Sequence, residues 1–102
     1  MRALERANSV RLARAELKRA VARGDLDPAE IVRDCPWQTE SMTISELLTS
    51  QRRWGRTRAR KFLMPLSLNE NKQLGTLTPR QRSILAAELA ARAAGGPRSA
   101  LV

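Results

Sequence analysis

Three helix-start signals divide this chain and leave little room for any class but a helical one. Asp27-Pro28-Ala29-Glu30 combines an N-cap acid, a proline at the first helical position and a glutamate at the third. Thr43 and Glu46 repeat the N-cap and third-position pattern, and Thr78-Pro79-Arg80-Gln81 repeats it with glutamine. The first turn of a helix has backbone N–H groups with no internal acceptor, and these residue types supply one. Proline fits the first position because its missing N–H would be unpaired there anyway. The signals predict a helix from Pro28 that ends before Pro36, with Ile31 and Val32 inward. They predict a second over Ile44 to Leu48, burying Ile44, Leu47 and Leu48. The third runs from Pro79 to about Ala93, with Ile84, Leu85 and Leu89 as its apolar face.

Periodicity adds two more helices. From near Ala3, or from a cap at Asn8 or Ser9, to Arg23, the residues Val10, Ala13, Leu17 and Val21 recur at three- and four-residue steps. Gly24 ends that helix, and its thin apolar stripe suits an arm or lid. A fifth helix is expected from about Thr57 to Leu63, stopped by Pro65. No segment alternates apolar and polar residues, and no internal repeat is present. The expected fold is all-α, about five helices in a small globular helical domain with a long N-terminal helix. At 102 residues and 42% apolar content the chain suits one domain over residues 1–94, with a basic helix over 1–23 and a globular core over 24–94. Gly95-Gly96-Pro97 leads to a disordered tail over 95–102. Trp37 is expected to cover an edge of the core, and Cys35 to be a small buried or turn thiol.

Charge is distributed in three blocks. Residues 1–23 carry seven basic and two acidic side chains, a net of +5. Residues 24–51 carry one basic and six acidic, a net of −5, and residues 52–102 carry eleven basic and two acidic, a net of +9. The densest cluster is RRWGRTRARK, Arg52 to Lys61, with six cations, no acid and one glycine between two helical signals. Gly55 lets another molecule approach the backbone, because it has no Cβ. The helix that follows offers N–H groups and the positive end of its dipole to an anionic oxygen. Arg56 and Arg58 at its start add positive charge. Such a helix–turn–helix unit forms a phosphate clamp, and the polyanion that suits it is nucleic acid. A solvated, merely basic surface is the plainer alternative.

Several functions are excluded or disfavoured. The chain has no histidine and one cysteine, so a Ser/His or Cys/His pair, a His-bearing zinc site and a thiolate zinc cluster cannot be assembled. No phosphate-loop or dinucleotide-binding glycine pattern occurs. DNA-repair lyases also carry helix–two-turn–helix clamps, but they need a nucleophilic amine or lysine in a second domain. No catalytic residue, cofactor, metal or small-molecule substrate is therefore expected. The beginning of the chain does not resemble a signal peptide and no apolar run could span a bilayer, so a cytoplasmic location is expected.

The segments RARAELKRAVARG, AEIVRD, MTISELL, RWGRTRARKFL and LGTLTPRQRSILAAEL follow one another in an order that resembles the actinobacterial integration host factor family. That family comprises small all-α nucleoid-associated proteins of mycobacteria and streptomycetes, unrelated in fold to the two-subunit factor of enteric bacteria. Its pattern runs from a first helix ending in Lys-Arg-Gly, through a Ser-x-Leu-Leu helix and a Val-Gly-Lys-x-Lys-Ala turn, to an Arg-Gln-Arg helix. The resemblance covers about residues 8–90.

The resemblance implies a helix–two-turn–helix fold that binds double-stranded DNA mainly through its backbone, in the nucleoid. A recombinase or host nucleoid protein is a further candidate partner. Gly55 with Arg53, Arg56 and Arg58 would occupy the clamp. Arg80 and Arg82 fall on the Arg-Gln-Arg motif, Arg14 and Lys18 on the basic side of the first helix, and Lys72 on a downstream basic cluster. Arg60 and Lys61 would strengthen the clamp, and Arg52, which opens the same basic cluster, is a further candidate DNA-binding residue. Gln73 and Gly75 stand where the family has further arginines, and Trp54 replaces a small aliphatic residue, to pack under the turn or wedge into the minor groove. Two other classes stay open: an RNA- or ribosome-associated basic protein, and a phage- or element-borne mimic that pairs with a host protein through Trp37 and the acidic segment.

Overall fold

The computed structural model describes residues 2–93, and the tail expected over 95–102 lies outside the described residues. Five α-helices occur in order: α1 Arg2–Arg23, α2 Pro28–Asp34, α3 Ile44–Thr49, α4 Arg56–Leu63 and α5 Pro79–Ala93. Short 3-10 turns cover Trp37–Thr39, Met64–Leu66 and Leu74–Thr76. The fold is all-α; the one extended pairing among the described residues is an isolated bridge between Thr43 and Gln73.

The predicted caps form. Asp27 Oδ1 accepts the Ala29 N–H at 3.0 Å, and Thr43 Oγ1 accepts the Glu46 N–H at 3.1 Å. At α5 the box is reciprocal: Thr78 Oγ1 accepts from Gln81 N at 3.1 Å, and Gln81 Oε1 accepts from Thr78 N at 3.0 Å. Gly24 ends α1 at φ +84°, a left-handed conformation that glycine adopts without steric cost. Pro65 does not send the chain out into an extended segment after α4. The backbone tightens instead into the 3-10 turn Met64–Leu66, where proline loses little because its position needs no donor.

α2 packs against α5, and the core gathers Val32, Met42, Leu47, Leu63, Leu85 and Leu89 with their neighbours. Two expectations about burial need correction. Ile84 is 39% exposed, while Leu77 and Ala86 are buried in its stead; α2 approaches α5 from the side that Leu85 and Leu89 define. Trp37 is 60% exposed and does not seal the core edge. The 3-10 turn that carries it is anchored by Thr39, fully buried, whose hydroxyl donates to Pro36 O at 2.7 Å. Of the α1 stripe, Leu17 and Val21 are buried, Val10 and Ala13 are half-buried, and residues 5–9 are exposed. Over residues 5–23 the helix is therefore buried most deeply toward its C-terminal end.

The loop before α5 is laced to the start of α3. Ile44 N donates to Lys72 O and Ser45 N to Glu70 O, both at 2.9 Å; Leu74 N donates to Met42 O at 2.8 Å and Gly75 N to Glu40 O at 2.9 Å. A Cβ built at Gly75 would meet that Glu40 oxygen at 2.9 Å. A side chain there would have to push two backbones apart, which explains a glycine at this position.

Candidate nucleic-acid interface

The turn Ser50–Gly55 between α3 and α4 is built by local backbone bonds. Ser50 N donates to Leu47 O, Gln51 N to Leu48 O and Trp54 N to Gln51 O, each at 3.2 Å. The left-handed residue of the turn is Arg53, at φ +69°, and not Gly55. Gly55 is extended, with φ −93° and ψ −178°, and serves as the N-cap of α4. A Cβ at Gly55 would point into open space. Its lack of a side chain thus leaves the helix start bare instead of relieving a strained backbone.

α4 starts one residue earlier than expected, at Arg56, and receives no side-chain cap. The N–H groups of Arg56, Thr57 and Arg58 are those an α-helix leaves without an internal acceptor. No acid stands in this first turn, and cations occupy its first and third positions. Positive side chains at the positive end of a helix dipole are locally unfavourable. An external anion would relieve both the bare N–H groups and the crowded charge. Gly55 and Arg56 line an open cleft with Thr43, Ser45, Glu46, Thr49 and Asn71, so hydroxyls and an amide border the same place.

Beneath the helix start, Trp54 packs edge-to-face on buried Phe62, with ring centroids 5.3 Å apart and planes at 75°. The Arg58 guanidinium lies 4.5 Å over the Trp54 ring. On the other side, Arg92 of α5 lies 5.1 Å over Phe62. Trp54 is therefore a support for the turn and for Arg58, which is the packing alternative of the two left open by the sequence. Arg92 joins this ladder although nothing in its local sequence distinguishes it; only the approach of α5 to α4 brings it there.

The cations expected to form the interface divide into two sets. Arg52, Arg53, Arg56, Arg58, Lys61 and Arg80 are exposed, Lys72 is half-buried, and among the described residues none of the seven forms an ion pair. The others are engaged within the fold. Arg82 donates to Val32 O at 2.7 Å and Leu74 O at 2.8 Å, tying α5 to α2 and to the turn before it. Arg14 donates to Gln38 O at 3.3 Å and Ser41 Oγ at 2.8 Å. Lys18 pairs with Glu46 at 2.6 Å. Arg60 meets both carboxylate oxygens of Glu70 through Nε, at 3.0 and 3.1 Å. Among the described residues no group of His, Cys, Asp and Glu is placed to hold a metal ion, and no helix is long and apolar enough to cross a membrane.

A solved structure described as sIHF bound to an 8 bp palindromic DNA superposes on this chain with a TM-score of 0.74. The match spans 83% of this chain and 98% of that one at 25% sequence identity. The chain has an integration host factor-like fold. No family model matches it, and no curated protein matches it significantly. The likeness therefore lies in the arrangement of helices more than in residue identities, as expected where caps and apolar spacing, and not individual side chains, specify the elements.

Proposed function

We propose that this protein is a nucleoid-associated double-stranded DNA-binding protein of the actinobacterial integration host factor type. The observation that carries the reading is the bare start of α4: no cap, an open glycine and arginines in the first turn. The integration host factor-like fold, found in a chain solved on DNA, supports it independently. A phosphate of one strand would sit at the Arg56–Arg58 N–H groups. Arg52, Arg53 and Lys61 would contact neighbouring phosphates, with Arg80 and Lys72 further out. Arg60 would contribute by exchanging Glu70 for phosphate. Contacts of this kind fix position without reading bases, so binding would be largely independent of sequence. Any preference would arise from DNA shape, and bending or compaction, with support of site-specific recombination, would follow from holding the backbone at several points.

The test is binding of a labelled random-sequence 30-mer duplex across a salt series, with matched RNA as competitor. With roughly six phosphate contacts, affinity should fall about a thousandfold between 50 and 200 mM salt. Arg56→Ala with Arg58→Ala should weaken binding to all duplexes alike and flatten the log–log salt slope by about two. Loss of one sequence only, or stronger competition by RNA, would sink the reading. A second reading, as a module that binds a host protein, is favoured by Trp37, 60% exposed between Asp34 and Glu40. Saturable binding to such a protein that survives removal of the clamp arginines would select it.

A further inference from the structure

The acid that lines the cleft at the start of α4 is Glu46. It lines the same cleft as Gly55 and Arg56, on the third position of α3. A glutamate at that position of a capping box ordinarily turns back to the N-cap backbone N–H. Here the box is half-made: Thr43 Oγ1 receives the Glu46 N–H at 3.1 Å, while the Glu46 carboxylate pairs with Lys18 Nζ at 2.6 Å. A carboxylate thus borders the cleft that faces an incoming phosphate, and a cation from a different helix cancels its charge. The pair is neither deeply buried nor free, with side-chain exposures of 38% for Lys18 and 29% for Glu46. Lys18 is held in place by the docking of α1, through buried Leu17 and Val21 and through the bonds of Arg14 to Gln38 O and Ser41 Oγ.

We propose that Lys18 is a positioning residue of the clamp that neutralises Glu46, and that it does not itself contact phosphate. The proposal rests on the DNA-binding reading above. It assigns α1 a definite part in binding: when the helix is docked, Lys18 offsets the one carboxylate that lines the cleft; when Lys18 is withdrawn, that carboxylate faces the phosphate uncompensated. Like charges a few ångströms apart at a protein surface interact strongly enough to change an affinity by about tenfold, less at high salt.

The experiment compares Lys18→Met, Glu46→Gln and the double variant with the wild type on the random 30-mer duplex, across the same salt series. Methionine retains most of the aliphatic stem that packs along α1. Lys18→Met should weaken binding by about five- to tenfold, and Glu46→Gln should tighten it by about two- to fivefold. The double variant, which has the same net charge as the wild type, should bind within about twofold of it and with the same salt slope. A double variant as weak as Lys18→Met, with a slope reduced by about 0.9, would mean that Lys18 touches phosphate itself and would overturn the proposal. A double variant that stays weak and melts early would also overturn it, by assigning Lys18 to docking alone. If the wild type does not bind the duplex, or if Arg56→Ala with Arg58→Ala leaves binding unchanged, the clamp and this proposal fall together. If those arginines matter and the double variant is not restored, only the role of Lys18 falls.

Discussion

The starts of α4 and α5 carry similar charge and are built in opposite ways. Each opens with two arginines in its first turn, Arg56 and Arg58 in one, Arg80 and Arg82 in the other. At α5 the first position is a proline with no N–H, the Thr78–Gln81 box answers the Gln81 N–H and the N–H of the cap residue itself, and Arg82 is turned inward onto two backbone carbonyls. At α4 nothing caps the helix and both arginines are exposed. The same residue type therefore completes the fold at one helix and leaves an unmet demand at the other. What decides between them is the neighbouring chain: carbonyls of Val32 and Leu74 lie within reach of Arg82, while the face before Arg56 is open. A basic helix start marks a site only where the protein itself has not already satisfied it.

The contrast can be broken most severely at Arg82. Arg82→Ala removes the donor from two backbone acceptors, each a charge-assisted bond, and should cost about 3 kcal/mol of stability. Urea unfolding at 25 °C would measure it, and the DNA affinity of the folded protein should change little. If affinity collapses while stability holds, Arg82 belongs to the interface after all. Gly55→Asp makes α4 resemble α5. The extended backbone at Gly55 accepts any residue, so the new cap should add a few tenths of a kcal/mol to stability. The same carboxylate would occupy the phosphate position, and DNA binding should fall tenfold or more, about 1.4 kcal/mol.

Smaller effects sharpen the comparison from both sides. Thr78→Ala removes a working cap and should cost about 1 kcal/mol of stability, with the DNA titration unaltered. Glu70→Gln breaks the pairing with Arg60, whose side chain is 61% exposed. A pair this solvated contributes little to stability, so the melting curve should hardly move. The freed guanidinium should tighten duplex binding by about two- to threefold at low salt, an advantage that fades as salt rises. Unchanged binding in Glu70→Gln would remove Arg60 from the contact set.

Helix positions were legible because their signals are local. Asp27, Thr43 and Thr78 mark starts within four residues, Gly24 marks an end, and Leu17, Val21, Leu47, Leu48, Leu85 and Leu89 fall on faces that period alone identifies. The basic turn from Arg52 to Lys61 was equally plain. Its internal roles were not. The positive φ belongs to Arg53, which pays with side-chain sterics for what glycine adopts freely, whereas Gly55 contributes bareness. Ile84 turned out exposed because apolar spacing defines a stripe, not which neighbour will cover it. Trp37 emerged at the surface because the buried Thr39 anchors its turn.

The sequence by itself determined an all-α chain, the starts of the helices that Asp27, Thr43 and Thr78 cap, the end that Gly24 sets, and that one turn concentrates cations, without an acid, before a helix. Each of these follows from interactions within a few residues, whose free energies the neighbourhood in the chain sets. Only the tertiary structure decided which cations are available. Arg14, Lys18, Arg60 and Arg82 find partners 8 to 50 positions away along the chain, and no local pattern encodes such a meeting. A long cationic side chain is offered to solvent or consumed by the fold according to what packing brings within its reach, and that is a property of the assembled core.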